Sequence, residues 1–262
     1  MVRVTATAPT PSVWRRNRVV RRAAKWSIGL ALAACCVGVF ACGPVLAQVT
    51  GSATLTTNDL YRGGSLTDGD PALNIAIAYD GPGDFYAGGS LIGEADSRRG
   101  PQILGHVEYA GFAVRPRRGP SWDFGISNAN YKQGVNLKAG RTVPYRIDAT
   151  ELHIGLIFRN FSYFTYFSPN YFDPTVNSIY NEFNGVVRVG YGWRVLGHVG
   201  VLNQLSGESL RKPHYDIGAT LVRPFKGGEA RLAWTTTFLP TDYPESYARG
   251  AGLVALDLTL FF

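Results

Sequence analysis

From residue 48 onward the sequence alternates in polarity, one residue against the next, in one segment after another. In PALNIAIAYD, Leu73, Ile75, Ile77 and Tyr79 share one face, while Asn74 and Asp80 take the other. A period of two is the side-chain period of a β-strand. No segment of this region keeps an apolar i, i+3, i+4, i+7 stripe for three turns, so a helical fold is excluded. The same alternation sets Val107, Tyr109 and Ala113 against His106 and Glu108, and Trp122, Phe124 and Ile126 against Asp123 and Ser127. It sets Leu152, Ile154, Leu156 and Phe158 against Glu151 and His153. Read through to the end, the pattern predicts about twelve strands, most near the length a tilted strand needs to cross a bilayer.

The connections carry a second rhythm. Long stretches near 61–71, 96–101, 131–145, 169–180, 205–213 and 239–249 alternate with short ones at 80–84, 115–120, 159–160, 192 and 224–228. Short turns at one end and long loops at the other are the asymmetry of outer-membrane barrels. The expected fold class is all-β: a transmembrane antiparallel up-and-down β-barrel of about 12 strands after an N-terminal signal peptide. The segment LVALDLTLFF sharpens the expectation. Val254, Leu256, Leu258, Leu260 and Phe262 fall on one face and would meet lipid, while Asp257 and Thr259 face inward. This strand would pair with the first and remove the sheet edge. A terminal Phe on such a strand resembles the signal read by barrel-assembly machinery. The alternative is the closing strand of a soluble barrel.

Charge and cysteine separate the chain into two parts. The formal net charge is +7, and residues 1–47 hold seven basic groups and no acid, so the remainder is formally neutral. Nucleic-acid binding is therefore not expected, because it needs clustered positive charge on the folded part. Cys35, Cys36 and Cys42 are the three cysteines, all before residue 48, so the remainder has no disulfide framework and no thiolate metal site. Residues 1–47 read as a secretory signal: a basic stretch, an apolar run and Val45-Leu46-Ala47 before Gln48. An uncleaved anchor over 27–47, or a lipobox ending at Cys35, stands as the alternative. Domains follow as 1–47 and 48–262, and the expected location is the bacterial outer membrane.

One stretch carries a more specific signal. DLYRGGSLTDGDPAL (59–73), followed by DFYAGGSL (84–91), is similar to the opening of the TorF-type family of outer-membrane porins. The matching positions are Arg62, Gly63, Ser65, Asp68, Gly69, Pro71, Ala72 and Phe85 to Gly88. The likeness is specific over about 48–95 and architectural after that. It implies an outer-membrane channel and brings no catalytic residues. Independently, Gly63, Gly64, Asp68-Gly69 and Pro71 read as turn chemistry that reverses the first hairpin, with Arg62 and Asp68 placed to pair or Arg62 set at the outer mouth of a pore.

The polar faces supply the candidate pore-lining residues: Arg62, Glu94, His106, Glu108, Asp123, Glu151, His153, Arg188, Arg194, His198, Asp216, Arg231 and Asp257. Charges this numerous need water or partners, so they either line a wet channel or bridge and close it. Twelve strands lie between the filled eight-stranded barrel and the open barrels of about 16–18 strands, so size alone leaves both open. No phosphate-binding loop, metalloprotease motif or cysteine site appears after residue 48, and no cofactor or metal is expected. A lipid-cleaving barrel would need a histidine on its outer face, and the predicted faces put none there. The expectation is a non-enzymatic porin passing small polar solutes, with a closed barrel acting through its outer loops as the alternative and a hydrolase as a remote one. The segment YKQGVNLKAGRTVPY, with Lys132, Lys138 and Arg141, is a candidate inward-folding constriction. The sequence leaves the oligomeric state open.

Overall fold

A computed structural model describes residues 48–97, 100–138, 141–171, 177–206, 213–238 and 252–262, with side chains of 132–147 outside the description. Residues 1–47, expected as a signal, and with them the Ala47 and Cys35 alternatives, lie outside the described residues, as does the long loop expected at 239–249.

The first wall strand, β1 (Gln48–Thr56), leads into two short strands, β2 (Leu60–Tyr61) and β3 (Gly64–Ser65), which pair only with each other. The other eleven wall strands follow: β4 (Ala72–Asp80), β5 (Phe85–Asp96), β6 (Gly100–Val114), β7 (Ser121–Lys138), β8 (Arg141–Ile157), β9 (Phe161–Ser168), β10 (Ser178–Arg188), β11 (Arg194–Gln204), β12 (His214–Phe225), β13 (Gly228–Phe238) and β14 (Leu253–Phe261). Each is antiparallel to its neighbours, and the wall closes where β1 meets β14, from Ser52 opposite Phe261 to Thr56 opposite Asp257. This is the closed twelve-stranded antiparallel barrel that the alternation predicts. The amide of Gly51 donates to the Phe262 carbonyl at 2.8 Å, and the Phe262 amide returns a bond at 3.0 Å, so the last residue completes the seam.

The barrel is inverted relative to a water-soluble one. Leu55, Leu73, Ile75, Ile77, Leu152, Val199 and Leu232 are exposed on the outside, as are Val254, Leu256, Leu258, Leu260 and Phe262 of the closing segment. Thr54, Thr56, Asp123, Glu151, Asp216, Asp257 and Thr259 are buried inside. In water, leaving that much apolar surface exposed would cost about 25 cal/mol per Å², whereas hydrocarbon removes the cost. Trp122, Trp193, Trp234, Tyr215 and Phe158 are all on the exposed surface, where aromatic rings suit the membrane–water boundary.

Strand β6 departs from the expected facing. Val107 and Ala113 are buried, and His106 and Glu108 lie outside, their side chains 46% and 62% exposed and 3.3 Å apart. Both are therefore removed from the pore-lining set. The physical reason is that β6 has apolar residues on both faces, and Ile103, Phe112 and Val114 take the outside in line with His106 and Glu108. A register shift against β5 between Ile92 and Gly93 leaves Leu104 buried next to Gly105, which breaks the alternation where the sequence would have been read. The long stretch at 131–145, a candidate for folding inward, continues as a ribbon. Beyond Tyr131, β7 pairs with β8 alone, through Lys138 opposite Arg141.

Candidate functional site

Among the described residues, the segment that enters the lumen is the first loop, 57–71. It is folded on its own polar side chains: Ser65 Oγ donates to Asn58 Oδ1 at 2.5 Å, and the Asp59 amide donates to Thr67 Oγ1 at 3.1 Å. Arg62 and Gly63 take positive φ angles of 44° and 78° at the tip, between β2 and β3. A Cβ at Gly63 would strike Thr237 and Asp216, so glycine here serves both the turn and the close approach to β13 and β12.

Arg62 is the anchor. It does not pair with Asp68, which is exposed at the other end of the loop. Its guanidinium donates to Glu151 of β8 at 2.8 Å, with both side chains almost fully buried. Its Cζ lies 3.7 Å from the ring centroid of Tyr180, 4.8 Å from Tyr171, 5.3 Å from Tyr61 and 5.6 Å from Tyr166. A planar cation can stack on rings while its edge bonds a carboxylate, which a lysine ammonium cannot do. The Arg62 carbonyl is 3.1 Å from Nε2 of His214 on β12. One residue of loop 1 thus touches β8, β9, β10 and β12, reaching across the lumen from roots on β1 and β4.

Two similar triangles flank this anchor. Tyr86 (β5) donates its hydroxyl to Asp123 (β7) at 2.6 Å, and His153 Nε2 (β8) lies 3.0 Å from the same carboxylate oxygen. Tyr180 (β10) lies 3.0 Å from His198 Nε2 (β11), which is 2.7 Å from Asp216 Oδ1 (β12). In each, a glycine on a neighbouring strand makes room: a Cβ at Gly125 would meet the His153 ring, and one at Gly200 would meet Tyr180 and Asp216. Toward the end with the short turns, Glu229 accepts from Arg194 at 2.6 Å and from Arg231 Nε at 2.7 Å. Asp257 accepts from Thr56 at 2.6 Å, and Glu94 accepts from Gln102 at 2.5 Å.

Of the expected lumen residues, Arg62, Glu94, Asp123, Glu151, His153, Asp216, Arg231 and Asp257 are buried, while Arg194 and His198 are half-buried. Arg188 is exposed at the end of β10, opposite Arg194. Of the motif loop, Gly63 and Ser65 are buried, while Asp68, Gly69 and Pro71 remain at the surface. The sequence reading missed the tyrosine cage, Glu182, His214 and Glu229. Alternation around Asp216 put His214 on the same face, and that was the available signal. Tyr166 gave none, because FSYFTYFS is aromatic on both faces. Among the described residues, no group of three or more His, Cys, Asp or Glu is placed to hold a metal ion.

A family model described as "Bacterial protein of unknown function (Gcw_chp)" matches residues 41–256. The chain belongs to the Gcw_chp family. Neither the TorF name nor a porin label is part of that description. No curated protein matches the sequence. Among solved structures, the Gcw_chp chain is similar to "KdgM porin", with TM-score 0.46 and 9% identity over 81% of this chain and 98% of that one. It is also similar to "Salmonella typhi OmpF complex with Daunomycin", with TM-score 0.38 and 9% identity over 82% and 97%. An in-vitro folded OmpT of Vibrio cholerae in its trimer form gives 0.37 and 8% over 83% and 99%.

Proposed function

We propose that this Gcw_chp protein is a narrow outer-membrane diffusion channel for small polar solutes or ions, with loop 1 as its constriction. The observation that carries the reading is the inside-out barrel: an exposed apolar belt around an interior of carboxylates, arginines, histidines and tyrosines. A wall of that polarity is stable with hydrocarbon outside, and its polar interior suits hydrated solutes. Loop 1 narrows the path where Arg62 meets Glu151. Selection is by size, with an electrostatic bias from the flanking charges.

A second reading rests on the same pair. A buried Arg62–Glu151 bridge with four tyrosines around it is a seal, and a sealed barrel would act through its outer loops. Planar-bilayer recording separates the two. A channel gives small discrete current steps from the native protein and larger ones after loop 1 is shortened. Silence from both, in preparations that still show heat-modifiable gel mobility, would sink the channel and leave the sealed barrel.

A further inference from the structure

The outer wall is not uniform. On β11–β14, β1, β4 and β5 the outward positions at mid-strand are apolar, as in Val199, Ile217, Ala219, Leu232, Leu256, Leu55, Ile75 and Leu91. On β6–β10 they are interrupted by a polar band. His106 and Glu108 lie opposite Asn130 and Asn128 of β7, and Asn128 donates to Thr150 of β8 at 3.0 Å. Farther round, Thr165 of β9 and Tyr163 both donate to Oδ1 of Asn181 on β10, at 2.9 and 2.8 Å.

On β6, β9 and β10 this band is inside the apolar belt, whereas on β8 it borders exposed Asp148. On β6 it is bracketed by exposed Ile103 on one side and exposed Phe112 on the other. On β9 exposed Phe167 and Phe161 bracket it. Hydrocarbon gives such groups no hydrogen-bond partners beyond the bonds they make with one another, so protein against this face would satisfy the donors and acceptors left over.

We propose that this face is an interface at which a second copy of the chain docks within the membrane. The inference rests on the membrane-spanning reading above but not on whether the lumen conducts. A second copy fits the chemistry of the band. Asn and Thr side chains both donate and accept, so the face complements itself. His106 and Glu108 stand side by side, an imidazole 3.3 Å from a carboxylate. A twofold axis sets one copy's His106 against the other's Glu108, and the reverse. The apolar arc from β11 round to β5 remains for lipid.

The chain from residue 48 has no cysteine, so single thiols report the face directly. Asn128→Cys and Thr165→Cys sample the band, and Ala219→Cys and Leu256→Cys sample the lipid arc. Each full-length variant is treated in outer membranes with a short bifunctional maleimide, beside the unsubstituted parent. Membrane fractionation and heat-modifiable mobility confirm an inserted barrel in every sample. The expected result is a species of twice the mass from at least one band variant and none from the arc variants or the parent. Adding His106→Leu and Glu108→Leu to the reporting variant lowers the doubled species several-fold with the barrel still inserted. Three results would overturn the proposal: no doubled species from either band position, equal yields from band and arc, or a band adduct whose mass fits a different protein. Recovery in the soluble fraction would instead overturn the membrane reading, and this inference with it.

Discussion

Arg62 concentrates the energetics of the lumen in one side chain. A buried guanidinium stays favourable only while its carboxylate partner and surrounding hydrogen bonds persist, and removing one member of such a pair costs about 3–5 kcal/mol. Arg62→Ala leaves Glu151, 1% exposed, without its cation. We expect the variant to unfold at a clearly lower urea midpoint, followed by tryptophan fluorescence in detergent. Arg62→Ala with Glu151→Gln should lose less than the two single changes added together, because the second substitution removes the stranded charge. Strict additivity would show that the bridge carries no coupling. Arg62→Lys should also fall below the native midpoint, since an ammonium cannot stack on Tyr180 at 3.7 Å and bond Glu151 with the same geometry.

At the scale of elements, two loops make opposite predictions. Loop 1 reaches across the lumen and the β7–β8 ribbon pairs only with itself beyond Tyr131. Shortening residues 59–69 to a tight turn should raise single-channel conductance several-fold. Deleting 133–141 should leave it unchanged, and a rise there would place the constriction in the ribbon. The same contrast shows what could be read from the sequence. The strand β14 was legible because Val254, Leu256, Leu258 and Leu260 hold one face in unbroken succession, with Asp257 and Thr259 between them on the other. The facing of β6 was not, because both of its faces hold apolar residues and a register shift against β5 breaks the period. Local turn chemistry marked Gly63, Gly64, Asp68-Gly69 and Pro71 as a tight loop, and Gly63, Asp68 and Gly69 take positive φ angles. It could not show that the Arg62 partner lies 89 residues away on β8, since such a pairing exists only once the barrel has closed.

For the whole molecule the decisive quantity is the balance of interior charge. Among the described residues, Asp59, Glu94, Asp123, Glu151, Glu182, Asp216, Glu229 and Asp257 are buried acids, whereas Arg62 and Arg231 are buried bases and Arg194 is half-buried. Much of this charge is compensated locally: Arg62 offsets Glu151, and Arg194 with Arg231 brackets Glu229. Paired charges project little field along a pore, and the residual excess is acidic. A salt gradient across a bilayer holding the protein should therefore give a small reversal potential with the sign of mild cation preference. Glu229→Gln leaves two arginines without their shared carboxylate and should move that potential toward anions. Near-ideal selectivity for either sign in the native protein would mean that the charge balance inside the barrel is not what the passing ion meets. A native potential already on the anion side would point instead to basic residues on the outer loops as the filter.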